Sequence, residues 1–590
     1  MTQRPGEVAP LSGATRTAPG VSPTGDRHQA GTDSQRRRRR LPRPPHPAGL
    51  AMGTLFAVVA MTPSLLPRDW LYQGLVSGIS GALGYGVGVA LARVLRFVPA
   101  WRRLVSTARG RVPPTLAPHL LTILGLLAAA VVVVMLVQGA AWQRAMTAAI
   151  GMPPPSTLDW LRAGPLLVLI AAAFVLAARG VWWVSRRVDA ILERRLRWPH
   201  AVASVVATVL VLGGVVIVND VLLQRALGAA DAAFAARNAG DHPGVERPSV
   251  AERSGGPGSL VAWGSLGREG RRFVAGGPST DELRTAAPDA APTTPVRVYV
   301  GIENADTPRE RAVLAVEELE RTGAFERQVL LLVTTTGSGW ANNAAVESLE
   351  LMYAGDTAAV AAQYSYLPSW LSFLFDRARA SDESRALLAA VEEHLAGLPA
   401  DERPLLLAYG ESLGSYGSET AFSSLADIRE RTDGVLWAGP PDANPVWHAL
   451  VERRDPGTPA VAPVYASGLF VRFAGDAAQI TTPTTPWEPP RALYLQHADD
   501  PVVWWSPAVL LSAPDRLREP PVGTDRPVMR WFPVVTFWQL TFDLLNAKSV
   551  PDGYGHNYDG LVLDGWVGVV PPDGWAAADT ERVRAILAPP

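Results

Sequence analysis

Five apolar stretches follow one another in the first third of the chain, at about Ala48 to Leu66, Leu71 to Leu95, Leu116 to Trp142, Trp160 to Val184 and Ala201 to Leu223. Each approaches or exceeds the ~20 residues that cross a bilayer as a helix. A backbone in hydrocarbon must satisfy its own hydrogen bonds, so residues 48–227 are predicted to be an α-helical membrane domain of about five spans. A cleaved signal peptide is not expected, because the first stretch is one of five and no small-residue cleavage site follows it.

Arginine sets the expected orientation. Six arginines cluster just before the first stretch (Arg36 to Arg40 and Arg43), six lie from Arg93 to Arg111, and six from Arg179 to Arg197. The alternate connections carry only Arg68 in one and Arg144 and Arg162 in the other. Positive charge stays on the cytoplasmic side. The N-terminus is therefore expected in the cytoplasm and, after an odd number of crossings, everything beyond Leu223 outside it. The Arg36 to Arg40 run reads better as a membrane-flanking cluster than as a nucleic-acid contact, since the net charge is only -1. Gly74-x-x-x-Gly78 and Gly84-x-x-x-Gly88 in the second stretch allow close helix packing, more simply within the bundle than between chains. No charged residue sits at a helix midpoint in the manner of a transport path.

Either side of these helices the composition turns polar. Residues 1–47 hold almost no large apolar side chains and are predicted to be a disordered basic tail. Residues 228–295 read as a Gly-, Pro- and Ala-rich linker. Within that linker the stretch from Leu260 to Val274 mixes aromatic, aliphatic and basic groups, and suits either the membrane interface or a globular surface.

From Val296 to Pro590 strand and helix patterns alternate, which implies a mostly parallel sheet with crossover helices. Strands are predicted at Arg297 to Ile302, Gln328 to Thr334, Val360 to Tyr366, Pro404 to Tyr409, Gly434 to Ala438 and Arg491 to Gln496. Helices are predicted at Arg309 to Arg321, Asn342 to Tyr353, Ser384 to Ala396, Ser415 to Ala426 and Phe532 to Asn546.

The fourth of these strands runs into Gly410-Glu411-Ser412-Leu413-Gly414, ahead of a helix. A serine on a sharp strand-to-helix turn, between residues without Cβ atoms, presents its Oγ clear of the sheet as a nucleophile. The bland alternative is a Gly-rich turn in which Ser412 caps the helix. A nucleophilic serine needs a base and an orienting carboxylate. Asp500 follows the strand Arg491 to Gln496, with Asp499 as its rival, and His556 lies in a loop before the last apolar segment, with His497 and His448 as rivals. Asp552 and Asp559 are local to His556 and stay open as the acid. The oxyanion donors are expected to be the N–H groups of Leu413 and of Ser338, the latter in the Gly-rich loop Thr334 to Trp340. Trp340, Trp370, Phe373, Trp504 and Trp505 lie in the loops around this site and suggest a large apolar pocket, although about half such aromatics serve as core.

The motifs Thr334-Thr-Thr-Gly-Ser-Gly-Trp340, Gln363-Tyr-Ser-Tyr-Leu-Pro-Ser-Trp370, Gly410-Glu-Ser-Leu-Gly-Ser415, Trp437-Ala-Gly-Pro-Pro441, Gln496-His-Ala-Asp-Asp-Pro-Val-Val-Trp-Trp505 and Gly555-His-Asn-Tyr558 lie behind a multi-helix N-terminal region. Together they resemble a bacterial family of membrane-anchored α/β-hydrolases described as lipases. The resemblance implies an α/β-hydrolase fold, with Ser412 as the elbow serine. It favours Asp500 as acid and His556 as the surviving histidine of the last loop.

The expected activity is hydrolysis of ester-linked acyl groups on lipid or cell-envelope substrates, at a bacterial cell membrane. The same residues would serve an acyltransferase, and a non-catalytic membrane scaffold could keep the fold. No metal or cofactor is expected. The chain has no cysteine, and Lys548 is its only lysine, which excludes thiolate chemistry and leaves no Walker-type phosphate loop.

Overall fold

The computed structural model describes residues 45–588, apart from 112, 114–115 and 521–527. The tail expected over residues 1–47, with Arg36 to Arg43, lies outside the described residues up to residue 44.

Among the described residues four helices are long and apolar enough to cross a membrane, against the about five expected. We label the helices α1 (Pro47–Val59), α2 (Trp70–Leu95), α3 (Ala117–Ala149), α4 (Ala163–Leu196) and α5 (His200–Ala239). The expected first span is the one that fails. With 13 residues, α1 reaches only about 20 Å, against a hydrocarbon core of ~30 Å. Pro63 and Pro67 bar the helix from continuing, and Leu65 and Leu66 instead join the core of the globular part.

The two glycine pairs of α2 serve two different partners. A Cβ on Gly84 would lie 2.7 Å from the Met52 carbonyl and the Phe56 side chain of α1, and Gly88 meets the Ala48 carbonyl. On the other pair, Gly74 would collide with Leu166 and Gly78 with Ile170, both on α4, each at 2.7 Å. The close packing is therefore within the bundle. The α1–α2 connection and Ile150, just after α3, share a core cluster with the globular part, and α5 leads into it. The arginine-rich connections after α2 and α4 lie at the other end of the helices.

The globular part is built on seven parallel strands: β1 (Val296–Val300), β2 (Val329–Thr334), β3 (Thr357–Ala362), β4 (Leu405–Glu411), β5 (Gly434–Ala438), β6 (Val471–Ala474) and β7 (Arg491–Leu495). Their order is β1-β3-β2-β4-β5-β7-β6. Alternate residues supply two cores. Leu330, Leu332, Ala408, Val435 and Trp437 face one, while Leu331, Val333, Leu407, Tyr409 and Leu436 face the other. A sheet buried on both faces requires this unbroken apolar reading along its strands.

Several elements differ from expectation. β6 has no counterpart among the predicted strands, being four residues long with Arg472 inside it. β3 lies at 357–362 instead of 360–366, because its sequence is Thr-Ala-Ala-Val-Ala-Ala and alanine carries little strand signal. The helix expected over 415–426 is two, α7 (Leu413–Glu419) and a second at Leu425–Arg431. Helix α5 also runs past residue 227 to Ala239, and Leu266, Phe273 and Val274 of the following segment are buried against Tyr299 and other globular residues. That amphipathic stretch docks on the globular surface.

Candidate active site

β4 occupies the middle of the sheet, and its carboxyl end delivers Ser412 into a turn with φ 58° and ψ −126°. A non-glycine residue in this region is strained, so the surroundings must over-determine it. The Ser412 N–H donates to the Ala438 carbonyl at 2.9 Å, and its own carbonyl accepts from the Ser415 N–H at 3.0 Å and Ser415 Oγ at 2.7 Å. The flanking glycines are required sterically. A Cβ on Gly410 would sit 2.7 Å from Ser415 N, and one on Gly414 would strike the Thr334 carbonyl.

Asp500 follows β7 and is fully buried. Its Oδ1 accepts the Val502 N–H at 2.8 Å. Its Oδ2 lies 2.7 Å from His556 Nδ1 and accepts the Tyr558 hydroxyl at 2.7 Å. His556 is itself buried, and its Nε2 takes no hydrogen bond, from Ser412 Oγ or any other described group. The ring lies against Gly439, where a Cβ would come 2.6 Å from Nδ1, one residue beyond the carbonyl that holds Ser412. An imidazole oriented through Nδ1 by a buried carboxylate, with Nε2 unspent, is equipped to take a proton from a neighbouring hydroxyl.

The rivals have other partners. Asp499 Oδ1 accepts the Gly555 N–H at 3.1 Å, and His497 Nδ1 lies 2.9 Å from the Gly555 carbonyl. His448 pairs at the surface with Glu452. Asp559 accepts from Asn342 Nδ2 at 2.8 Å, and Asp552 lies against Gly560.

The Leu413 N–H opens α7 and has no acceptor in its own helix. The Ser338 carbonyl, not the N–H expected to serve the oxyanion, accepts from Gln363 Nε2 at 3.1 Å. Thr334 and Thr335 are the residues of that loop that run along Gly414.

The five aromatics separate. Trp504 and Trp505 are buried core, donating to the His497 carbonyl at 3.0 Å and to Thr541 Oγ1 at 2.9 Å. Phe373 meets Trp505 edge-on at 6.1 Å and is partly buried. Trp370 is 46% exposed on α6 (Ser369–Phe375), together with Leu374 and Phe375. Trp340 lies beneath the Lys548 ammonium, 4.1 Å from the ring centre.

Lys548 belongs to a group that motif reading did not assemble. Its Nζ lies 2.6 Å from Glu411 Oε1, and Glu411 Oε2 accepts from Asn342 at 2.7 Å and from the Tyr409 hydroxyl at 3.2 Å. Burial pushes the Glu411 carboxyl up, but the charges of Lys548 and His556, with hydrogen bonds from Lys548 and Asn342, outweigh it and hold it below the usual value. The residue before Ser412 is thus pinned to the segment that leads to His556. The one available signal was that a chain of 590 residues keeps a single lysine.

Residues 296–583 match the Alpha/beta-hydrolase family, and residues 61–278 match the Alpha/beta-hydrolase family N-terminus. No curated protein and no solved structure matches the chain. Two adjoining matches that together span the helices and the sheet, on a parallel fold with its serine at the end of β4, indicate an alpha/beta-hydrolase family.

Proposed function

We propose that the protein is a membrane-anchored serine hydrolase that cleaves ester-linked acyl groups from lipid or cell-envelope substrates. The observation that carries the reading is the 2.7 Å contact between His556 Nδ1 and buried Asp500, beside a serine held at φ 58° on the elbow. Ser412 Oγ attacks the acyl carbon while His556 Nε2 takes its proton, and the Leu413 N–H supports the oxyanion. His556 then protonates the leaving alkoxide, and the acyl-enzyme forms. A water attacks this ester with His556 again as base, the carboxylic acid departs and Ser412 regains its proton.

Two features support a lipid substrate. Four helices suit a bilayer. Helix α6, with Trp370, Leu374 and Phe375 exposed, packs beside the loop after β2, where a Cβ on Gly337 would lie 2.5 Å from Ser372 Oγ. The placement of the globular part at the end of the helices opposite the arginine-rich connections supports an extracytoplasmic catalytic domain and a cytoplasmic N-terminus. A cytoplasmic N-terminus further requires α1 to carry the chain across, and its first turn, at Ala48, reaches Gly88 of α2 on the way to that arginine-rich end.

The test is labelling of the full chain in detergent by a fluorophosphonate, which requires an activated serine. Wild type should label, and Ser412→Ala should not. A wild-type chain that stays unlabelled and hydrolyses no p-nitrophenyl ester would leave a non-catalytic scaffold as the better reading. A periplasm-active reporter fused after Pro590 should be active, and one that is silent there reverses the topology.

A further inference from the structure

The connection between α1 and α2 touches the loop that bears His556. Leu66 is fully buried, and a Cβ on Gly555 would lie 3.3 Å from Leu66 Cδ2, 2.7 Å from Val550 Cγ2 and 2.7 Å from the Ala547 carbonyl. Gly555 has φ +55° and immediately precedes His556. Its N–H is held by Asp499 and its carbonyl faces His497, while the His556 N–H donates to Ala547 at 2.9 Å. Leu66 therefore closes the apolar side of a turn whose polar groups are already bound.

The rest of the connection is fastened to the helix that precedes that turn, α8 (Val535–Leu545). Asp543, fully buried, accepts Ser64 Oγ at 3.0 Å and the Leu65 N–H at 3.1 Å, and lies 3.5 Å from Arg68 Nε. Gln539 Nε2 donates to the Thr62 carbonyl at 3.1 Å, and Asn546 Nδ2 to the Pro67 carbonyl at 2.7 Å. On its other side the Arg68 N–H donates to Gln143 of α3 at 2.8 Å. A mere tether would not need a buried ion pair, four further hydrogen bonds into the globular part and a leucine packed beside the histidine turn.

We infer that the Ala60–Asp69 connection is a positioning element of the catalytic site, and that Leu66 is the positioning residue that holds the His556 turn in register with Ser412. This rests on the hydrolase reading above. The N-terminal helices thereby complete the site as well as anchoring it, and a globular part cut free at Val296 lacks one wall of its histidine loop.

The test uses the full chain in detergent, with the variants Leu66→Ala and Leu66→Met. A displacement of under an ångström at a catalytic group costs about tenfold or more in rate. Leu66→Ala is expected to label with fluorophosphonate about tenfold more slowly, and to lose kcat on p-nitrophenyl butyrate in parallel, with KM within about twofold of wild type. Leu66→Met, which restores the volume, should recover most of the rate. Leu66→Ala labelling at the wild-type rate, or a rise in KM at unchanged kcat, overturns the inference. If Leu66→Ala does not fold, Asn546→Ala, which frees the Pro67 carbonyl at the edge of the same contact, carries the same expectation and the same overturning result. A wild-type chain that is not labelled overturns the hydrolase reading itself, so the two failures are told apart by the first measurement.

Discussion

Asp499 and Asp500, adjacent in the chain, grip two consecutive residues of one distant loop: Asp499 Oδ1 accepts the Gly555 N–H at 3.1 Å, and Asp500 Oδ2 meets His556 Nδ1 at 2.7 Å. One carboxylate places the backbone and the other orients the ring. Tyr558, which donates to Asp500 Oδ2 and to which the His497 N–H donates at 3.0 Å, ties the two halves together.

That division of labour predicts unequal mutants. Asp500→Asn should lower ester turnover by roughly three orders of magnitude, since it loses the negative charge that stabilises the imidazolium. Asp499→Asn keeps an acceptor for the Gly555 N–H and should cost under about tenfold. Steady-state kinetics on a p-nitrophenyl ester decide it, and a more damaged Asp499 variant would move the acid by one residue.

Removing Lys548 should strand the buried Glu411 carboxylate beside Ser412. Because the lysine is half exposed, a loss of about 2 kcal/mol is expected for Lys548→Met, less than for a fully buried pair. Lys548→Arg should retain most of it. Thermal melts of the three proteins in one detergent provide the comparison.

Glu419, at the end of α7, is buried and accepts from Tyr494 at 2.7 Å, the Val446 N–H at 2.7 Å, the Trp447 N–H at 3.2 Å and Asn444 Nδ2 at 3.2 Å. Burial pushes its carboxyl up to about 7, against the pull of these donors. A raised acid binds its proton more tightly folded than unfolded, so its stabilising share is complete below the ordinary value of 4.5 and is lost as pH rises to about 7. The share amounts to about 3 kcal/mol. Denaturant titrations from pH 4 to 8 should show this fall in wild type and a flatter curve in Glu419→Gln.

Acyl preference tests the substrate class. An apolar site gains ~0.8 kcal/mol per buried methylene, so kcat/KM of the full chain should climb by up to roughly fourfold per carbon from acetyl towards octanoyl esters below their micelle threshold. A maximum at acetyl would favour a deacetylase or small-acyl transferase and reduce Trp340, Trp370 and Phe373 to packing.

What could be read from the chain alone was whatever is local. The Gly-Ser-Gly turn, the acid after its strand and the histidine in its Gly-flanked loop each need only a few consecutive residues to declare themselves. Contacts that span the chain left no such trace. Leu66 looked like the tail of a membrane span, because its apolar character is the same whether lipid or protein covers it. Lys548 and Glu411 lie 137 residues apart, and nothing in either neighbourhood points to the other. Trp504 and Trp505 read as pocket because they adjoin Asp500, yet a side chain in a catalytic loop can as well turn inward and pack.

A chain with one lysine, half exposed at 48% and set over Trp340 next to the elbow, carries a chemical address. Apart from the α-amino terminus, every amine-selective reagent has a single destination in this protein. A fluorophore attached through Lys548 by reductive alkylation, which keeps the positive charge that Glu411 faces, would report on the surroundings of Glu411 and Trp340 without any engineered handle.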